Sequence, residues 1–291
     1  MLPEELVQKI KSIQIFTKRA VDASFAGQYE SVFKGRGMQF DEVREYTPGD
    51  DIRDIDWNVT ARTGRAHIKR FVEEREMTLL FAVDLSASGQ FGTINKTKSE
   101  LAAEFCAVLS FAAAKNNDKV GLVIFTDQID LYIPPKKGMR HVLRLVRELL
   151  NFEMPKRRTD IPMALDYIAR VTKKKATVFV VSDFIETDIK KPLSLLNRRH
   201  DVIAVPVRDR AEIALPNIGI IELQDAETGE LILVDTASRG FRDSYGQNTG
   251  ISFENLQGLF RSISVDCIPI TTDQPYVQDV VQFFHMRHRR L

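Results

Sequence analysis

Three polar side chains at the end of one apolar run are the residues in this sequence best suited to chemistry. Residues 79–83 are all apolar, and Asp84, Ser86 and Ser88 follow at alternate positions. A short apolar run bounded by turn residues predicts a strand buried on both faces of a parallel sheet. One carboxylate and two hydroxyls are hard oxygen donors of the kind that bind Mg²⁺. Because one carboxylate carries little charge, such a site needs further ligands from elsewhere in the chain.

A second apolar run, residues 176–181, supplies a candidate for those ligands. It ends in a serine followed by Asp183, and Thr159 lies in the loop before the helix that precedes this strand. In open α/β sheets, ligands bind outside the carboxyl ends of the strands, near the switch point of the strand order. We therefore expect Asp183 and Thr159 to meet the first group, which gives two carboxylates and three hydroxyls at one edge.

The elements that position these residues are those of an α/β protein. Apolar runs alternate with stretches of helical periodicity over residues 77–288, which predicts a doubly wound, mostly parallel sheet with a small β-rich subdomain. A short turn at 126–130 predicts that the next strand is antiparallel. The predicted strands of the sheet are 79–84, 120–125, 131–133, 176–181, 201–207 and 265–270, and further short strands are predicted at 40–46, 66–72, 218–223 and 230–234. The predicted helices are 3–28, 96–117, 139–152, 161–171, 189–197, 253–262 and 276–288.

Domain boundaries follow from a change in pattern. Residues 1–76 hold an amphipathic helix and a charged segment with apolar anchors, and residues 77–291 hold the alternating strands and helices. The stretch 215–235 has the turn chemistry of a β-hairpin, which could join the small β-rich subdomain.

Composition limits the kinds of partner that the protein can have. The 291 residues include 41 Lys and Arg against 40 Asp and Glu, so a net charge of +1 gives no bulk attraction to nucleic acid or membranes. The first ten residues lack an apolar core and a cleavage site, and no apolar run approaches a membrane span, so we expect a cytoplasmic protein. Cys106 and Cys267 lack neighbouring metal ligands and are interpreted as buried free thiols.

The acids of residues 50–56 allow two interpretations. Asp50, Asp51, Asp54 and Asp56, with His67 nearby, could form the metal cluster of a hydrolase. In the same segment the acids alternate with arginines and lie near the only tryptophan, Trp57, which favours a structural network of arginine and aspartate side chains around Trp57.

With the predicted topology, the polar pattern resembles the metal-ion-dependent adhesion site of the von Willebrand factor A fold. That site has the form Asp-x-Ser-x-Ser, then a distant Thr and a distant Asp, which here correspond to Asp84, Ser86, Ser88, Thr159 and Asp183. The fold also has one antiparallel edge strand, as predicted for 131–133. The resemblance implies Mg²⁺, with Mn²⁺ as a substitute, and a coordination position that a partner's carboxylate completes. The alternative is a scaffold in which these acids only cap loops.

The segment before the sheet resembles a bacterial family signature. GRGMQFDEVREYTPGDDIRDIDWNVTARTG, followed by KRFVEERE, is similar to the family catalogued as domain of unknown function 58. That resemblance implies a non-enzymatic adaptor or co-chaperone of a MoxR-type ATPase of the AAA class, together with other von Willebrand A-domain proteins. Arg157 and Arg158 flank Thr159 and could attract an acidic partner surface to the site.

Overall fold

The computed structural model describes residues 39–72, 77–93, 96–153, 157–185, 188–224 and 230–288. The predicted helix at 3–28 lies outside these residues. The chain divides into two compact units, Phe33–Met77 and the rest of the chain. Within the described ranges, no helix combines the length and the apolar character that crossing a membrane requires.

The smaller unit is built on a two-stranded antiparallel sheet. Strand β1 (Gln39–Glu45) pairs with β2 (His67–Val72), and the connection contains a 3₁₀ turn (Ile52–Asp54) and helix α1 (Trp57–Thr63). Asp56 caps α1 by accepting hydrogen bonds from the backbone N–H groups of Asn58 and Val59. Gly64 ends the helix at φ 73°, a left-handed conformation that glycine adopts without strain. Local capping therefore sets both ends of this helix.

The larger unit contains one mostly parallel sheet. Its strands are β3 (Thr78–Asp84), β4 (Lys119–Phe125), β5 (Ile129–Lys136), β6 (Thr177–Ser182), β7 (Asp201–Arg208), β10 (Asp266–Cys267) and β11 (Ile270–Thr271). They lie in the order β10, β7, β6, β3, β4, β5, with β11 also paired to β7. Strand β3 is central, and its neighbours β4 and β6 run parallel to it. Among the described strands of this sheet, only the edge pair β4 and β5 is antiparallel, as predicted.

Helices cover this sheet and bury its central strands. Every residue of β6, and every residue of β3 after the first, is buried, which explains their continuous apolar sequences. Phe81 and Phe179 stack at 5.4 Å between neighbouring strands, and Phe105 packs edge-on against Phe179. Each such side chain contributes roughly 1.5–3 kcal/mol of burial free energy. The helices are α2 (Lys98–Lys115), α3 (Met139–Leu150), α4 (Ile161–Val171), α5 (Lys190–Asn197), α6 (Arg210–Ile213), α7 (Arg239–Ser262) and α8 (Val277–His288).

The carboxyl-terminal third departs from the predicted elements. Helix α7 begins at Arg239, well before the predicted start at 253, and contains four glycines. The predicted strand 265–270 is two short strands that both pair with β7. Within the predicted hairpin region, β8 (Ile220–Gln224) pairs antiparallel with β9 (Leu231–Asp235), and both strands group with the larger unit.

The fold class is as predicted: α/β, with a mostly parallel sheet and one antiparallel edge strand. The two cysteines are free thiols, Cys106 fully buried and Cys267 partly buried. Burial raises the pKa of both thiols, that of Cys267 to about 12, so neither is a reactive thiolate at neutral pH.

Candidate metal and partner-binding site

The predicted site residues lie where the carboxyl ends of β3 and β6 meet. Asp84 is the last residue of β3, and a 3₁₀ turn (Ala87–Gln90) directly after it carries Ser88. Thr159 immediately precedes α4, where Asp160 caps the helix. The Ala87 N–H donates to the Arg157 carbonyl at 3.2 Å, which ties the two loops together. The backbone therefore brings Thr159 to Asp84 across 75 residues of sequence.

The oxygen atoms of this group are spaced like ligands of one small cation. The Thr159 hydroxyl donates to the Ser86 hydroxyl at 2.8 Å and lies 3.1 Å from one carboxylate oxygen of Asp84. The hydroxyls of Ser86 and Ser88 are 3.2 Å apart. Ligands at about 2.1 Å from Mg²⁺ and at right angles to one another are about 3 Å apart. The donor set therefore fits a hard divalent cation.

Asp84 is buried, and its surroundings favour its ionised form only in part. Its side chain accepts hydrogen bonds from the Ser182 hydroxyl at 2.7 Å and from the Ser86 N–H at 3.0 Å. Burial, and then the nearby charge of Asp183, raise the pKa of Asp84 to about 6 despite these hydrogen bonds. Asp84 is therefore mostly ionised at neutral pH, but its hydrogen bonds offset only part of the cost of burying its charge. A bound cation would offset the remaining cost.

Asp183 is near this group but already has a cation partner. Its carboxylate accepts from the ammonium group of Lys98 at 2.9 Å, and Lys98 also donates to Glu212 at 2.7 Å. The Lys98 side chain is only 3% exposed. Burial opposes its charge, but the two carboxylates outweigh burial and raise the pKa of Lys98. The structure therefore places a buried ion-pair cluster beside the four other predicted ligands.

A small cavity joins the two groups. Asp84, Ser88, Lys98 and Asp183 all line it, and its volume of about 10 Å³ is near the minimum for one water molecule. A much larger groove of about 680 Å³ begins on the other side of Asp183, between the ends of β6 and β7 and helix α7. Arg208 lies in that groove, with its guanidinium group 4.5 Å from the centre of the Phe253 ring.

Sequence reasoning missed Ser182, Lys98 and Glu212. One signal for Lys98 was available. Thr97 and Glu100 form a capping box that begins α2 at Lys98. A cation in the first turn of a helix is unfavourable, because the helix dipole is positive there. A lysine in that position implies a carboxylate partner from elsewhere in the fold.

The two arginines predicted to attract a partner are both exposed. Arg157 forms an ion pair with Asp130 at 3.5 Å and approaches Asp127 at 4.0 Å. Ion pairs of this exposure contribute little to stability, so they do not prevent Arg157 from contacting another protein.

The acids of the smaller unit have local structural roles. Asp50 forms a two-pronged hydrogen bond with Arg44 at 2.7 and 2.9 Å. That hydrogen bonding, together with the Thr47 N–H, holds the pKa of Asp50 well below its usual range. His67 is bonded to the Thr63 hydroxyl and the Arg65 carbonyl. In the described part of the chain, no group of three or more His, Cys, Asp or Glu side chains could hold a metal ion.

Trp57 does not form the centre of that arginine and aspartate network. It is the first residue of α1 and its side chain is 68% exposed. Asp51 and Asp56 instead accept from neighbouring backbone N–H groups, and Asp50 pairs with Arg44, so these contacts form in β1 and along its connection to β2.

Comparison with known sequences places the chain in a family. A family model described as "Protein of unknown function DUF58" matches residues 42–252. The chain belongs to this DUF58 family. An uncharacterized protein of Mycobacterium tuberculosis is 28% identical over 290 residues, which cover 98% of this chain and 90% of that protein. The family match therefore includes the candidate site and the predicted signature segment from Glu42 onward.

Solved structures similar to this DUF58 chain include two that match most of their own length. BatB from Bacteroides thetaiotaomicron is 15% identical with a TM-score of 0.47, and the match covers 73% of this chain and 99% of BatB. The SpRpn10 VWA domain is 10% identical with a TM-score of 0.40, and the match covers 71% of this chain and 95% of that domain.

Proposed function

We propose that this protein is a non-enzymatic interaction module that binds Mg²⁺ and a partner protein at the carboxyl edge of its sheet. The observation that carries this proposal is a continuous set of oxygen contacts, from Asp84 to the Thr159 hydroxyl at 3.1 Å, from Thr159 to Ser86 at 2.8 Å and from Ser86 to Ser88 at 3.2 Å. Asp84, Ser86, Ser88 and Thr159 would hold the ion, with Asp183 beside them. A bound Mg²⁺ supplies a coordination position that a carboxylate of the partner can fill.

The protein's own residues prepare this edge for an acidic partner. Arg157 and Arg158 are exposed next to Thr159 and attract negative charge, which increases the rate of encounter. The groove beyond Asp183 combines apolar side chains with Arg208 and the amides of α7, so it can accept part of a partner chain.

For the partner, we propose a MoxR-type AAA ATPase, for which this protein acts as an adaptor or co-chaperone. The support is the resemblance of the signature segment before the sheet. The test is capture of the purified ATPase by the immobilised full chain, with Mg²⁺ or with chelator. We expect capture with Mg²⁺ and weaker or no capture with chelator. No capture under either condition would exclude this ATPase as the partner.

The metal site is tested by calorimetric titration of Mg²⁺ and Mn²⁺ into chelator-treated protein. We expect saturable one-site binding in the wild type and no binding in the double variant Asp84→Asn, Ser86→Ala. Ser244→Ala, which changes an exposed serine of α7, is the matched control and should bind as the wild type does. Binding that survives in the double variant would show that the ion lies elsewhere, and no saturable binding in the wild type would overturn the metal site.

The contribution of the two arginines is tested by charge reversal. Arg157→Glu with Arg158→Glu is expected to slow association with the partner at low salt, with a smaller difference at high salt. An unchanged association rate at low salt would remove these residues from the encounter surface.

The structure does not favour the alternative, a metal-dependent hydrolase that uses the acids of residues 50–56. Asp50 and Asp56 bond to Arg44 and to backbone N–H groups. A generic phosphoester assay with added Mg²⁺ or Mn²⁺ separates the two functions, and we expect no turnover that depends on Asp54 or Asp56.

A further inference from the structure

The buried lysine beside the candidate metal site is not needed to build helix α2. Thr97 caps that helix, and Glu100 completes the capping box, so the helix start is satisfied by its own residues. The Lys98 ammonium group instead donates to two carboxylates that are 85 and 114 residues away in sequence. Burying this charge is costly unless it is paired and hydrogen-bonded, and the two short contacts provide that compensation.

The two carboxylates connect Lys98 to different regions of the surface. Asp183 lines the small cavity that also contains Asp84, and its side chain is 9% exposed. Glu212 is more accessible, with 28% of its side chain exposed, and lines the large groove. Lys98 therefore touches the one carboxylate, Asp183, that belongs both to the ion pair and to the predicted metal ligands.

Formal charges show what this arrangement does to a metal ion. Asp84, Asp183 and Glu212 carry three negative charges and Lys98 carries one positive charge, so the cluster has a net charge of −2. A divalent cation would bring the net charge to zero, whereas without the lysine the same ion would meet a charge of −3. In a buried site these differences are only weakly screened by salt.

We propose that Lys98 is a built-in cation that competes with the divalent ion for Asp183 and so weakens metal binding at this site. The proposal rests on the proposed function, because it assumes that the ion binds beside Asp84. Without metal, Lys98 neutralises the charge of Asp183 and stabilises the carboxyl edge of the sheet. When a metal ion is bound, the nearby ammonium group repels it. A carboxylate of the partner then makes a larger contribution to the affinity of the site for the ion.

The test replaces Lys98 with methionine, which keeps an unbranched side chain and removes the charge. Calorimetric titration of Mg²⁺ and Mn²⁺ is expected to show about tenfold tighter binding by Lys98→Met than by the wild type, from the loss of one nearby positive charge. Lys115→Met makes the same change at the exposed end of α2 and is expected to leave the affinity unchanged.

A second measurement separates competition from a purely structural role. In chelator, Lys98→Met leaves Asp183 and Glu212 without their cation, so its melting temperature should fall below that of the wild type. Added Mg²⁺ should then raise the melting temperature of Lys98→Met by more than it raises that of the wild type. If the lysine only holds the fold together, the melting temperature falls and Mg²⁺ restores no more of it than in the wild type.

The outcomes distinguish failure of this inference from failure of the metal site. Tighter binding by Lys98→Met than by the wild type supports the competition. Equal or weaker binding by Lys98→Met, beside clear binding by the wild type, overturns it and leaves the metal site intact. Absence of binding in both proteins overturns the metal site and the competition together.

Glu212→Gln keeps the test decisive if Lys98→Met does not fold. This change removes one of the two carboxylates that bind the Lys98 ammonium group. The ammonium group then interacts with Asp183 alone, so metal binding is expected to weaken. An unchanged or tighter affinity in Glu212→Gln would overturn the competition.

Discussion

The Ser182 hydroxyl makes two hydrogen bonds at the end of β6, and Ser182→Ala removes both. It donates to the buried Asp84 carboxylate at 2.7 Å and accepts from the Phe184 N–H at 3.1 Å. Phe184 has φ 55°, an unfavourable conformation for a non-glycine residue, so the second bond also holds a strained turn. A hydrogen bond to a charged group contributes about 1.5–3 kcal/mol, and a buried N–H left without an acceptor costs about 1–3 kcal/mol. We therefore expect Ser182→Ala to lower the free energy of unfolding by about 3 kcal/mol.

The pH dependence of this loss follows from Asp84. Its folded pKa, about 6, is above the usual value for an aspartate, so its ionisation destabilises the fold as pH rises from about 4 through 6. The Ser182 bond stabilises the ionised form, so removing it raises the folded pKa further and increases that cost. The difference between wild type and Ser182→Ala should therefore be larger at pH 8 than at pH 5.

Urea unfolding at the two pH values, in chelator, measures both effects. Ser244→Ala, exposed on α7, is the control and should unfold as the wild type does. A loss for Ser182→Ala below about 0.5 kcal/mol, which is the range of ordinary surface changes, would refute the assignment of this hydrogen bond. An equal loss at pH 5 and pH 8 would refute its link to the charge of Asp84.

Two further changes test the frame around the site. Asp209 is fully buried and accepts hydrogen bonds from the hydroxyls of Thr93 and Thr272, both at 2.6 Å. Burial alone would raise the pKa of Asp209, but these hydrogen bonds outweigh burial and lower the pKa. Asp209→Asn should therefore lower the free energy of unfolding by about 2 kcal/mol at pH 7, and by less as pH falls below about 4. Urea unfolding at several pH values measures this loss. Gly121→Ala would place a methyl group 2.8 Å from the Pro135 ring between β4 and β5, and it should lower stability by about 1–3 kcal/mol, measured by thermal unfolding.

The centre of the fold could be predicted because its strands are buried on both faces. Strands β3 and β6 are wholly apolar between the threonine that begins each strand and the polar residue that ends it, so their apolar runs mark both the strands and the positions where the predicted site residues gather. The placement of Thr159 followed from topology, since the loop before α4 opens at the same edge. This is why Thr159 could be assigned to Asp84 without any local sequence signal.

The parts that could not be predicted depend on contacts between distant residues. Glu212 lies on a helix of one turn, and nothing near it in sequence indicates that it meets Lys98. Helix α7 continues through Gly246 and Gly250, each of which costs about 1 kcal/mol relative to alanine. Within it, the Thr249 hydroxyl bonds to the Ile213 carbonyl of α6, so a tertiary contact supports the segment that propensity disfavours.

The hydrogen bonds within the site explain how it can be formed before an ion binds. Asp84 already accepts from Ser182, from the Ser86 backbone and from Thr159, so hydrogen bonds within the protein offset part of the cost of its buried charge. An incoming cation must replace the bonds that Thr159 makes to Asp84 and Ser86, whereas the Ser182 and backbone bonds can persist beside it. The free energy of metal binding is therefore the difference between the new metal contacts and the hydrogen bonds that they replace. It is smaller than the full attraction of the ion for two carboxylates. If Mg²⁺ binds as proposed, this geometry and the charge of Lys98 predict weak retention of the ion until a partner's carboxylate adds to its coordination shell.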